Sequence, residues 1–165
     1  MLLTAKPVIY VINLSERDFI RQKNKYLAKV KAWIDENSHG DIIIPLSVSF
    51  EERLTRMSDE EAAEECKNLS AKSQIGKLVV TMRKALNLGS FFTTGTDEVR
   101  QWSIRLGTKA PQAAGVIHGD FEKTFIQAIV TKYDDLKELG GEDKVKAAGK
   151  LLIKGKDYMM EDGDM

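Results

Sequence analysis

The run Val8-Ile9-Tyr10-Val11-Ile12 constrains the fold more than any other segment. Five β-branched or aromatic residues in a row leave no polar face, so a strand built from them has to be buried on both sides, as in a parallel sheet covered by helices. Asn13 closes the run. Ser15 is placed to cap a helix, with Asp18 three residues on, and Phe19, Leu27, Val30 and Ile34 mark an apolar stripe that predicts one helix reaching about Asn37. Ser38-His39-Gly40-Asp41 ends it, and a second apolar run, Ile42-Ile43-Ile44-Pro45-Leu46, follows. Strand, helix, strand within the first 47 residues is the pattern of a right-handed parallel crossover.

From Ser49 to Leu88 the signals are helical: Phe50, Leu54 and Met57 at helical spacing, a capping box at Ser58 and Glu61, then Ile75 through Leu88 with Gly89 as its C′ residue. The pattern then changes. Phe91-Phe92-Thr93-Thr94, a Gly95-Thr96-Asp97 turn and Val99 to Leu106 predict a hairpin in which Trp102, Ile104 and Leu106 turn inward. A short helix near Ala113–Ile117, a strand at Phe125–Thr131, helices at Asp134–Leu139 and Asp143–Lys150 and a further strand complete a small α+β roll. The fold class expected is therefore α/β followed by α+β, with the boundary near residue 88.

Several function classes are excluded or weakened at this level. Lys plus Arg and Asp plus Glu each total 25, so the molecule lacks the net positive charge of a general nucleic-acid binder, and any basic surface is local. Charge is nonetheless patterned. Arg17, Arg21, Lys23, Lys25, Lys29 and Lys31 dominate one helical stretch, and Glu51, Glu52, Asp59, Glu60, Glu61, Glu64 and Glu65 another, so the two could attract each other or be ordinary solvated faces. One cysteine, Cys66, and two histidines, His39 and His118, make neither an internal disulfide nor a Cys/His zinc cage. The start Met1-Leu2-Leu3-Thr4-Ala5-Lys6-Pro7 does not read as a signal peptide, and no stretch approaches the length of a membrane span, so no membrane partner is expected. A reducing, cytoplasmic setting fits. No Gly-x-x-x-x-Gly-Lys-Ser/Thr loop occurs, since Gly76-Lys77, Gly149-Lys150 and Gly155-Lys156 are followed by Leu, Leu and Asp. Hydrolysis of ATP or GTP by this chain alone is not expected. His118 is read as a packed residue at a loop-to-strand joint rather than as a base.

The segment with the most chemical content is Asn13-Leu14-Ser15-Glu16, directly after the first strand. Loops at the carboxyl ends of parallel strands are where open α/β sheets bind ligands. There Asn13 can brace neighbouring loops, Leu14 can lie against a base plane and Glu16 can accept a hydrogen bond from an exocyclic amine. The same residues also fit a turn with a helix cap, or an Asn-x-Ser glycosylation acceptor, which Asn68-Leu69-Ser70 matches too.

Taken with Lys6-Pro7-Val8-Ile9-Tyr10-Val11-Ile12, Gly107-Thr108-Lys109-Ala110-Pro111-Gln112-Ala113-Ala114-Gly115, His118-x-Asp120-Phe121-Glu122-Lys123 and Glu161-Asp162-Gly163-Asp164, this segment resembles the Obg-like ATPases, the YchF family, over essentially the whole chain. The resemblance implies that residues 1–88 are the last part of a P-loop GTPase-type domain. Residues 89–165 would then be a TGS domain, a ubiquitin-like β-grasp module lacking its last strand. It places Asn13-Leu14-Ser15-Glu16 where ordinary GTPases carry Asn-Lys-x-Asp. It makes Ser47 and Val48 the second base-contacting loop, and ATP, with Mg in the full-length family, the cofactor. The phosphate loop, magnesium ligands and catalytic histidine would precede Met1, so a fragment or short isoform is expected. The family further implies association with the ribosomal large subunit or RNA through the TGS module, regulation of translation, a cytoplasmic location, and shuttling through the nucleus by an export-like segment at Phe50, Leu54 and Met57. Arg100, Arg105 and Lys109 are the candidate contacts to RNA phosphates, with a solvated strand face as the alternative. A protein-interaction module without nucleotide binding, and a complete ATP or GTP hydrolase given upstream residues, are the competing functions.

Overall fold

Residues 6–38, 40–95 and 97–165 are described in a computed structural model. His39, Thr96 and Met1 to Ala5, on which parts of the expected helix end, hairpin turn and leader reading fall, lie outside the described residues. The chain divides into two units, Met1–Ala85 and Leu86–Met165.

In the first unit, β1 (Ile9–Asn13) pairs in parallel with β2 (Ile42–Leu46), with Ile9 opposite Ile42 and Asn13 opposite Leu46. The connection is helical, as parallel pairing requires. It is not one helix, however. α1 (Glu16–Arg21) stops at Gln22, which takes a left-handed conformation (φ 51°) and returns its N–H to the carbonyls of Asp18 and Phe19. Asn24 then binds the Asp18 carboxylate through Nδ2 and accepts from the Tyr26 N–H, building a local turn before α2 (Leu27–Asn37). Side chains that hydrogen-bond to nearby backbone compete with helix, and here Asn24 wins over the apolar stripe. α3 (Val48–Thr55), α4 (Asp59–Asn68) and α5 (Ile75–Ala85) follow. α4 opens on the expected capping box, with Ser58 Oγ accepting from Glu61 N and Glu61 Oε2 from Ser58 N. The core of this unit is Phe50, Leu54 and Ala71, with Phe19, Met57 and Cys66 packed against it. Phe50 and Leu54 are thus core residues, as a helix stripe demands, and an export signal there would have to be drawn out of that core.

In the second unit, β3 (Leu88–Thr94) and β4 (Val99–Arg105) form the antiparallel hairpin, with Phe91 opposite Trp102. α5 ends earlier than its pattern predicts, and Asn87 (φ 54°), not Gly89, supplies the left-handed residue. Gly89 is a strand residue: a Cβ there would stand 2.6 Å from Leu106 Cδ2. Leu106 itself is half-exposed, outside β4, so only Trp102 and Ile104 turn into the core of Phe91, Ala110, Ala113 and Met160. α6 (Ala110–Ile117), α7 (Gly119–Lys123), β5 (Ala128–Val130), α8 (Tyr133–Leu139), α9 (Glu142–Ala147) and β6 (Leu152–Lys154) complete the unit, β5 and β6 pairing antiparallel. His118 is exposed rather than packed. Its Nδ1 accepts from the Asp120 N–H and caps α7, a helix the periodicity does not predict.

The last residues dock on two strands. Phe92 N donates to Asp164 O at 2.8 Å, and Thr131 and Met165 exchange both backbone hydrogen bonds. The side chain of Asp164, 1% exposed, accepts from Lys132 Nζ at 2.5 Å, Tyr158 Oη at 2.9 Å and Glu161 N at 2.9 Å. Partial burial pulls the Lys132 pKa down, and its hydrogen bonds to Asp164, Tyr158 and Glu161 overcome that and hold it above the ordinary lysine value. No helix among the described residues is long and apolar enough to cross a membrane.

Candidate functional site

The register of β1 and β2 decides which loops meet. Asn13 lies opposite Leu46, and Leu14 N donates to Leu46 O at 2.8 Å, so the two strands end together and the loops after them leave side by side. Asn13 Oδ1 accepts from Val48 N at 3.0 Å and ties one loop to the other at the start of α3. Asn13 and Val48 are exposed, while Ser47 is wholly buried, its Oγ 3.1 Å from that of Ser49. The structure therefore brings Asn13, Leu14, Glu16, Ser47 and Val48 to one strand-end edge.

Two of the five are placed differently from the expectation. Leu14 is buried, and its apolar surface lines a cleft of about 440 Å³ with Phe19, Leu27, Pro45 and Ala71. Glu16, half-exposed in the first turn of α1, is engaged with protein: Arg53 Nη2 donates to its Oε1 at 2.6 Å. The other arm of the same guanidinium, Nη1, donates to Glu65 of α4. The hydrogen bond to Glu65, with Glu16 adding to it, holds the Arg53 pKa above the ordinary arginine value. Arg53 also stacks at 5.6 Å over the Phe50 ring, whose burial fixes α3. A second carboxylate supports the edge from behind. Glu51, 7% exposed, accepts from Ser73 Oγ at 2.6 Å and Gln74 N at 2.7 Å, which pins the loop before α5 to α3. Glu51 belongs to the acidic run of the sequence and Arg53 lies within it, and nothing in that run singles out either residue. A cation three residues after an apolar core position, amid acidic neighbours, is the only local sign of the tie.

The basic residues of the second unit do not share a face. In β4 successive side chains alternate, so Arg100 lies on the side of Trp102 and Ile104 while Arg105 lies on the other. Arg100 is stacked over Trp102 and paired with Glu98, and Lys109 is paired with Asp157 at 3.0 Å. Nor do the basic residues of α1 and α2 form an ion pair with the acidic run of α3 and α4 among the described residues. No group of three or more His, Cys, Asp or Glu side chains among the described residues is placed to hold a metal ion.

A parallel strand pair whose two end loops meet at one edge, followed by a separate α+β unit, defines the class as a mixed helix-and-sheet chain of two units with small sheets. A family profile described as YchF-GTPase_C, protein of unknown function (DUF933), matches residues 88–165. Obg-like ATPase 1 of Schizosaccharomyces pombe is 63% identical over 164 residues, covering 99% of this chain and 42% of the relative. The same-named protein of Saccharomyces cerevisiae is 61% identical over 164 residues with the same shares. A solved structure, of the Schizosaccharomyces pombe YchF GTPase, superposes with a TM-score of 0.95 at 63% identity, covering 99% of this chain and 43% of that one. The chain belongs to the YchF family of Obg-like ATPases and corresponds to its C-terminal portion. It spans 42% of the length of these relatives.

Proposed function

We propose that residues 1–88 recognise the adenine base of ATP at the edge formed by Asn13, Leu14, Glu16, Ser47 and Val48. Residues 89–165 then act as a TGS-type β-grasp module that associates with the ribosomal large subunit or its RNA in the cytoplasm, so that the whole protein regulates translation. The observation that carries the base reading is the Asn13–Val48 hydrogen bond, which holds two loops at one strand end with Asn13 exposed and Glu16 half-exposed beside it. Guanine offers two adjacent donors, N1–H and the 2-amino group, whereas adenine offers one amino donor beside an acceptor N1. A Glu at position 16 in place of a short Asp, and a Leu at position 14 in place of a Lys, suit the single-donor base. The residues present fit the base only. When bound, Mg-ATP supplies the phosphoryl group for hydrolysis, and the sequence offers its phosphates no glycine-rich loop.

The β-grasp reading draws support from the last residues. Asp164 makes single bridges to Phe91 of β3 in the parallel sense and to Lys132, just after β5, in the antiparallel sense. A β-grasp sheet would extend such bridges into a strand between the two.

A heteronuclear NMR titration of the 165-residue chain with AMP tests the base reading. The expected result is millimolar binding, worth about 4 kcal/mol, with shifts confined to residues 13–16 and 47–48 and abolished by Asn13→Ala. Shifts elsewhere, or none at ~10 mM AMP, a concentration above the dissociation constant expected here, refute it.

A further inference from the structure

Glu16 is the group of the strand-end edge best placed to distinguish purines, and one of its two oxygens is already in use. Arg53 Nη2 holds Oε1 at 2.6 Å, and no hydrogen bond from a described residue reaches Oε2. Reading guanine with a carboxylate takes both oxygens, each accepting one of two parallel donors. A second donor arriving at Oε1 has to share that oxygen with a guanidinium, while a single amino donor can use Oε2. We propose that Arg53 is a specificity-determining positioning residue that occupies one oxygen of Glu16, leaving a one-donor acceptor suited to adenine and closed to the guanine fork. The inference rests on base recognition at this edge, as proposed above.

Arg53 is built to hold that pose. Its two terminal nitrogens bind two different carboxylates, Glu16 at the start of α1 and Glu65 in α4, so the guanidinium is fixed from both sides. Its Cζ lies over the Phe50 ring, 5.6 Å from the centroid, and Phe50 and Leu54 anchor the helix that carries it. Arg53 Nε is buried with no hydrogen-bond partner among the described residues, so the side chain sits where the two carboxylates place it and not where all its donors would be satisfied. A lysine at this position has one nitrogen and cannot span both partners as the fork does.

The test uses the 165-residue chain and two ligands that differ only in the base, AMP and GMP, titrated by heteronuclear NMR. The parent is expected to bind AMP more tightly than GMP. Arg53→Ala and Arg53→Met, either of which suffices if the other fails to fold, should move the AMP/GMP ratio toward GMP by about threefold to tenfold, the scale of one charge-assisted contact. AMP affinity should change less than about twofold, since its single acceptor remains. In a Glu16→Gln background the same substitutions should leave the ratio unmoved, because Arg53 acts through Glu16. Arg53→Lys should restore part of the preference. If no ligand shifts residues 13–16 or 47–48 in the parent, the base reading fails and takes this inference with it. If the parent discriminates and folded Arg53 variants keep its ratio, or the change persists without Glu16, this inference alone is overturned.

Discussion

Replacing Asp164 by Ala removes a carboxylate that three donors share inside the second unit. Breaking a buried ion pair by deleting one partner costs about 3–5 kcal/mol, because the remaining charge is left without compensation. Lys132 keeps 30% of its side chain exposed and can recover some hydration, which places the expected loss near the lower limit, at about 3 kcal/mol. Asp164→Asn, which keeps shape and one acceptor, should lose about half as much. A Lys132→Met, Asp164→Leu double variant should lie closer to the parent than Asp164→Ala does, since no unpaired charge remains. The assay is urea unfolding followed by the fluorescence of Trp102, with Trp33 changed to Phe so that the signal reports the second unit. The pH dependence gives an independent check. Lys132 has a raised pKa when folded, so its stabilisation is complete below the unfolded lysine value of about 10.4 and is lost as pH rises through the higher folded value. The gap between parent and Asp164→Ala should therefore narrow above about pH 10.4. A loss under about 1 kcal/mol, the net worth of an ordinary neutral hydrogen bond, or a gap that is constant into the alkaline range, would show that the carboxylate is not what ties the last residues down.

Phe50→Ala should destabilise the first unit by about 3–5 kcal/mol, the cost of a large cavity at a wholly buried position; unfolding followed by Trp33 in a Trp102→Phe background measures it. Ser58→Ala should cost about 1 kcal/mol through the lost cap of α4. The backbone hydrogen bond from Ser58 holds Glu61 below the usual carboxylate range, so the Glu61 arm of the box is present above the ordinary glutamate value and lost as pH falls through the lowered one; the parent's circular dichroism should show helix fraying there and a Glu61→Gln variant none of it, while Ser58→Ala, which keeps the backbone N–H, retains most of it. Arg105 is the member of the basic trio in the second unit with no ion pair among the described residues; if the proposed RNA association holds, Arg105→Ala should reduce its salt slope by about 0.7–0.9. Equal effects from Arg100→Ala and Lys109→Ala in a filter-binding salt series would contradict this.

What could be read from the sequence was what depends on neighbours in the chain. Val8–Ile12 and Ile42–Leu46 announce strands by composition alone, and the Ser58–Glu61 box is a three-residue spacing; each lies within two residues of its place in the structure. Burial on both faces does not hold for the first strand: no residue of β1 is fully buried, and Val8 and Val11 are 46% and 45% exposed, because β1 pairs with β2 alone in a two-stranded sheet among the described residues. The break between α1 and α2 was hidden because Phe19 and Leu27 keep helical phase while Asn24, a residue with no periodic signature, makes the turn. Gly89 misled for a different reason: glycine serves equally as a helix terminator and as the residue that lets Leu106 approach a strand, and only the tertiary contact tells which. The strand-end edge was visible in Asn13-Leu14-Ser15-Glu16, yet its restraint by Arg53 spans 37 positions and Glu51 reaches forward 22 and 23, separations that no local pattern encodes.

Cys66 is the one thiol in the chain, and it lies half-buried against the Phe50, Leu54 and Ala71 cluster of the first unit. An alkylating reagent meets it in part in the closed state and fully when that cluster parts, so the labelling rate rises with opening of this unit and is silent about the other. The molecule thus carries its own chemical clock. If purine binding at the strand end holds α3 in place through Phe50, saturating AMP should slow the clock, coupling ligand occupancy to the breathing of a core that the ligand does not touch.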